Sequence, residues 1–172
     1  MKIKCLAMCC AAIAGLSVTV PVLAQSTATG SMEVKIAITA NCAVTGTSTT
    51  LDFGSQASTT ADASNTGGFS VTCTNLTPYK IGLQSNSSGA GTGGTGVMSS
   101  TAPGVSQTIG YQLYQDTAHT MAWGNATSGT LNVVSSTGTG ATQAFAVYGK
   151  TTTTLNVPAA TYTDTVAINV YY

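Results

Sequence analysis

Apolar side chains recur at every second position in short runs along this chain, and clusters of Gly, Ser, Thr and Asn separate the runs. A period of two belongs to a strand with one buried face, so the pattern predicts an all-β protein; helical spacing is nowhere sustained. Strands are expected at 32–40, 42–45, 50–53, 67–74, 78–85, 108–115, 130–135, 143–149 and 162–171. The clearest alternations are Phe69, Val71, Cys73; Tyr79, Ile81, Leu83; Ile109, Tyr111, Leu113; Phe145, Val147; and Val166, Ile168, Val170. Each set turns one strand face into the core of a β-sandwich. The glycine-rich stretches 85–96 and 135–142 read as loops. Neither is followed by a helix pattern that would supply the N-terminal amides of a phosphate cradle.

Residues 1–24 have the composition of a secretory signal. Lys2 and Lys4 precede an apolar run over 5–20, Pro21 interrupts it, and Val22-Leu23-Ala24 presents small residues where a signal peptidase reads. The run is short for a bilayer span and no basic flank follows it, so no membrane insertion is expected after the signal is removed. Cys5, Cys9 and Cys10 leave with the signal, and Cys42 and Cys73 remain. Two cysteines in an exported chain are most simply one disulfide. A metal site lacks ligands, because His119 is the sole histidine.

The mature part, 25–172, has the length of one domain with a real core. It contains Lys35, Lys80 and Lys150 against Glu33, Asp52, Asp62, Asp116 and Asp164, with no arginine. That balance excludes a basic patch for nucleic acid or anionic lipid. So few charges invite association, which suits a chain that assembles with copies of itself. A nucleophile would have to use His119, in a segment that reads as a polar turn, and the five acids are scattered without the spacing of a catalytic pair. The reading is therefore no enzyme, no metal and no cofactor.

The stretch GSMEVKIAITANC, residues 30–42, is a clean strand pattern with Met32, Val34, Ile36 and Ile38 on its apolar face. At the other end the pattern TYTDTVAINVYY runs to the final residue, so the neighbour expected along its free edge must come from elsewhere. Donating residues 32–40 to another copy satisfies both ends by β-strand addition. On periodicity alone, a first strand of the chain's own sandwich is an equal reading.

The succession Cys42-Ala43-Val44, Leu51-Asp52-Phe53-Gly54, Val71-Thr72-Cys73-Thr74, Pro78-Tyr79, Ile109 to Asp116, Trp123-Gly124, Val147-Tyr148-Gly149 and Tyr162 to Val166 resembles the spore coat protein U family, which includes the pilins of archaic chaperone–usher pili. The resemblance covers essentially the whole mature chain. It implies an immunoglobulin-like Greek-key β-sandwich lacking its final strand, a periplasmic chaperone, an outer-membrane usher, and a homopolymer held by N-terminal donor strands. By that resemblance the chain divides into a signal at 1–24, a donor extension at 25–41 and a pilin domain at 42–172. The plugs fall on Met32, Val34, Ile36 and Ile38, the disulfide on Cys42 and Cys73, and the acceptor groove partly on Val166, Ile168, Val170 and Tyr172. Two features depart from the family: Ala160 stands where glycine is common before the last strand, and the 85–107 loop is long.

Tyr111, Tyr114, Tyr148, Tyr162 and Trp123 could make a sugar-stacking platform, but in a sandwich of this size aromatics more often pack the core. The expected function is a structural pilin exported through the periplasm to the cell surface, where its pilus serves adhesion and biofilm formation. The alternatives are a spore or cell-surface coat protein without an ordered fibre and a monomeric carbohydrate-binding module.

Overall fold

The computed structural model describes residues 25–128 and 132–172, with the backbone alone at 46–49. The signal expected at 1–24 and the start of the strand expected at 130–135 lie outside the described residues. Among the described residues eight strands form: β1 (Cys42–Thr49), β2 (Ser64–Cys73), β3 (Pro78–Ser85), β4 (Thr95–Ser99), β5 (Thr108–Tyr114), β6 (Val134–Thr137), β7 (Thr142–Thr151) and β8 (Val166–Tyr171). All lie in the compact unit Ala37–Tyr172. Among the described residues no helix is long and apolar enough to cross a membrane.

The strands make two sheets, in the orders β1-β2-β7-β5-β4 and β6-β3-β8, and every ladder is antiparallel. Their facing sides share one core, which makes the fold an immunoglobulin-like sandwich. Phe69, Val71 and Cys73 on β2 meet Tyr79, Ile81 and Leu83 on β3, with Tyr111 and Leu113 from β5 and Val147 from β7. Strand alternation is the cause, since every second residue of these runs is buried. Trp123 enters from the connection after β5, packs at a tilt on Phe69 with ring centroids 5.8 Å apart and donates its Nε1–H to the Ile81 carbonyl at 3.0 Å. A buried indole needs such a partner, and here it ties the two sheets together.

Four expectations fail for identifiable reasons. Residues 50–53 form no strand. Asp52 Oδ1 accepts the Gly54 amide at 2.8 Å, Asn65 donates to the Asp52 carbonyl, and Gly54 turns at φ 70°. Those local bonds hold the segment out of a ladder, and Leu51 drops into a notch left by two glycines: a Cβ on Gly67 would lie 3.0 Å from it and one on Gly149 2.7 Å. Conversely, β4 lies inside the supposed 85–107 loop. Gly96 is there for close approach, because an added Cβ would lie 2.3 Å from the Tyr111 ring. Similarly β6 takes the first residues of the supposed 135–142 loop and leaves only 138–141 as turn. Lastly, residues 32–40 carry no strand assignment, since a ladder needs a partner and none pairs with them.

Candidate functional site

The sandwich is open along one side. β8 pairs with β3 alone and ends its sheet. Beside it lies a groove of about 1030 Å³. One wall is the irregular segment around Leu51 and Phe53; the other runs from Val157 through Tyr162 into Val166 and Ile168 of β8. The floor is the sandwich interior itself, with Phe69, Leu83, Ile109, Leu113 and Val147 reaching it from both sheets. Of the residues expected to form an acceptor surface, Val166 and Ile168 stand in the wall; Val170 packs on the main core further along, and Tyr172 is exposed.

Sequence reasoning missed much of the groove. Leu155 and Val157 line it from a stretch without regular structure, where Leu155 builds a small second core with Ala63 and Ile109. The one signal was their spacing of two. Asp164 was merely one of the scattered acids, yet it lines the groove and fastens both sheets to the segment before β8. Its Oδ2 accepts the Tyr111 hydroxyl at 2.7 Å and the Ser85 hydroxyl, while Oδ1 accepts the Thr165 amide at 2.7 Å. Burial, and then the bond to the Asp164 carboxylate, pushes the Tyr111 phenol well above its usual range. The phenol therefore stays neutral and remains a donor at any physiological pH. One more cross-link closes this end, where Ser99 and Thr163 exchange backbone hydrogen bonds of 3.0 and 2.9 Å and join the edge of β4 to the approach of β8.

Met32, Val34, Ile36 and Ile38 are 84, 85, 83 and 75 % exposed. Four large apolar side chains exposed in alternation form a patch of the kind that marks a contact surface. Cys42 and Cys73 are disulfide-bonded and stand directly opposite each other as the first pair of the β1–β2 ladder. The ladder continues one step outward, because Thr74 donates its amide to the Asn41 carbonyl at 2.9 Å and accepts the Asn41 amide on Oγ1 at 3.0 Å.

The remaining candidates are dispersed. Tyr111 and Trp123 are core residues, and Tyr162 donates its hydroxyl to the Pro158 carbonyl at 2.8 Å. Tyr114 and Tyr148 are cross-strand partners on half-exposed positions. The five aromatics therefore form no common platform. His119 packs edge-on to Tyr114 at 5.0 Å in a left-handed turn. Asp116 closes that turn by accepting the Met121 amide at 2.8 Å, the Thr120 hydroxyl at 2.7 Å and the Thr120 amide, and these bonds hold its carboxyl below the usual range, the Met121 bond most strongly and the Thr120 hydroxyl next. Asp62 pairs with Lys150 at 3.0 Å.

An all-β sandwich with an open side defines the architectural class. The family follows from the model for the Spore Coat Protein U domain, which matches residues 28–169, and the chain belongs to that family. Among solved structures, the chain is similar to the CsuC–CsuE chaperone–tip adhesion subunit pre-assembly complex from the archaic chaperone–usher Csu pili of Acinetobacter baumannii, with a TM-score of 0.51 and 20 % identity. The match covers 78 % of this chain but 40 % of that one, so the likeness is one of fold. No curated protein matches the chain.

Proposed function

We propose that this chain is a pilus subunit that polymerises by donor-strand exchange, its segment 32–40 completing the sandwich of another copy. The observation that carries the reading is the pairing of complements within one chain: a groove with an apolar floor beside the open edge of β8, and an exposed alternation of Met32, Val34, Ile36 and Ile38. A seated strand would gain backbone bonds from β8 and place its four side chains over the floor. Burying them at roughly 1.5–3 kcal/mol each contributes on the order of 6–12 kcal/mol before ordering costs, which suits a lasting contact. On this reading residues 25–41 are the donor extension and 42–172 the acceptor domain, with Val166, Ile168, Val170 and Tyr172 along the strand the donor joins. The membership in the spore coat protein U family, and the fold shared with a chaperone-bound pilus subunit, support passage through the periplasm with a chaperone over the groove, export through an usher and display on the cell surface. A surface fibre of such subunits serves adhesion and biofilm formation.

The test is a variant lacking residues 25–40. It should fold, fail to polymerise, and bind a synthetic peptide of residues 30–42 that raises its melting temperature. The same peptide with Ile36→Asp should bind at least about a hundredfold more weakly, as expected for a charge forced into an apolar site. A truncated chain that is already a stable monomer and ignores the peptide would overturn the proposal.

A further inference from the structure

Alternation alone leaves the register of a donor strand open. A slip of one residue would turn Met32, Val34, Ile36 and Ile38 out of the groove, but a slip of two keeps all four facing in. A choice between registers that bury the same face needs another signal. Between residues 25 and 41 the charged side chains are Glu33 and Lys35, both on the other face of the segment.

Most charges of the sandwich are already engaged. Asp62 pairs with Lys150 at 3.0 Å, Asp116 is held inside its own turn by Thr120 and Met121, and Asp164 is held by the hydroxyls of Tyr111 and Ser85. Among the described residues, Asp52 and Lys80 remain without an opposite charge. They stand on the two sides of the groove. Asp52 is exposed on the wall around Leu51 and Phe53. Lys80 lies on the outward side of β3, directly opposite Tyr171 of β8.

We infer that these groups fix the register: Glu33 of one copy pairs with Lys80 of the next, and Lys35 with Asp52. The inference rests on the donor-strand reading for its occupant. Every ladder of both sheets is antiparallel, and a donor antiparallel to β8 can set its four plugs opposite Tyr172, Val170, Ile168 and Val166 in turn. Glu33 then stands opposite Tyr171, in the row of Lys80. The distance across β8 is two strand spacings, about 10 Å, which a glutamate and a lysine span together. The same register sets Lys35 opposite Asn169, one residue past Ile168. Ile168 is paired with Leu83, and both line the groove with Leu51, the neighbour of Asp52.

Other registers lose these partners. A slip of two in one direction carries Glu33 about 7 Å from the row of Lys80, and in the other direction it puts Lys35 there instead, like against like. A parallel donor over the same four residues puts Ala37 in that row and moves Glu33 toward Asp52. The two charges of the donor cancel, so they exert little pull at long range. The plugs hold the strand, and the charges choose where it stops.

Peptide competition on the full-length chain tests it. A peptide of residues 30–42 competes with the donor segments, so the concentration that halves assembly reads the preference of the groove. A lost pair costs up to about threefold and a like-charge contact in its place about as much again, so the Glu33→Lys peptide should need about tenfold more than the wild-type peptide. Against a Lys80→Glu chain that order should reverse. The Lys35→Glu peptide should also need about tenfold more, and an Asp52→Asn chain, which keeps an acceptor for the Gly54 amide, should cut that penalty to about threefold. Penalties that ignore the charge on the acceptor overturn the pairing. Charge variants that inhibit like wild type, while an Ile36→Asp peptide fails, overturn the register and leave donor exchange standing. A wild-type peptide that does not inhibit overturns donor exchange first and the register with it. Cysteine pairs read the register without any charge change. Ala37→Cys with Ala167→Cys, which stand opposite each other in this register, should convert oxidised polymer into a covalent ladder, and Ala37→Cys with Tyr171→Cys should not. The reverse result overturns the inference.

Discussion

At the scale of single residues, two side chains and one missing side chain set local behaviour. Gly96 has no Cβ because the Tyr111 ring occupies its place, so Gly96→Ala should cost about 1–3 kcal/mol in urea unfolding. Trp123→Phe leaves the Ile81 carbonyl without its donor in the core, and should cost about 1–3 kcal/mol for that lost bond with a further loss from the cavity. Asp116 gives a pH dependence with a definite sign. Its carboxyl is held below the usual value in the folded chain, so its contribution is present above about pH 4 and is lost as the pH falls through the lowered folded value. The amide resonances of Thr120 and Met121 should therefore titrate together below pH 4, and Asp116→Asn should abolish that titration. Gly96 also shows where the residues mislead a reader. A glycine among glycines signals a loop, whereas this one serves an aromatic ring from a strand 15 positions away in sequence, a distance that no local rule spans.

At the scale of elements, the strands inside their sheets and the edge strands β1 and β8 were legible, whereas β4 was not and β6 was only in part. β2, β3, β5 and β7 are long, alternate cleanly and sit inside their sheets, so the pattern of their own side chains dictates their state. β4 is short and glycine-bearing and exists because β5 offers it a ladder. Residues 50–53 alternate as well as a strand does, but Asp52, Asn65 and Gly54 bind the backbone locally and leave Leu51 as a plug in a glycine notch. Half of the groove wall was invisible for that reason, while the β8 side was read from Val166 and Ile168. The first element has its own consequence. Reducing the Cys42–Cys73 bond should lower stability by about 3–4 kcal/mol in the chain-entropy account, measured as denaturant midpoints with and without reductant.

For the whole molecule, the near absence of charge decides which forces operate between copies. Three lysines and five acids over 25–172 leave little Coulomb attraction to screen, and the expected contacts are apolar. Assembly monitored by light scattering should change less than about threefold in rate between 50 mM and 500 mM NaCl, whereas a charge-driven association would slow far more. In the fibre proposed above, the position of the disulfide would acquire another meaning. Tension drawn through the N-terminal segment arrives at Asn41, one residue before Cys42, and β1 is an edge strand. A hydrogen-bonded edge pulled from its end would peel one rung at a time. Here the rung just inside the Asn41–Thr74 bonds is covalent, so the load passes into β2, which lies inside the five-stranded sheet. If the proposed donor-strand exchange holds, the bond that closes a loop during folding would become, in a stretched filament, the rivet through which each subunit hangs from the next.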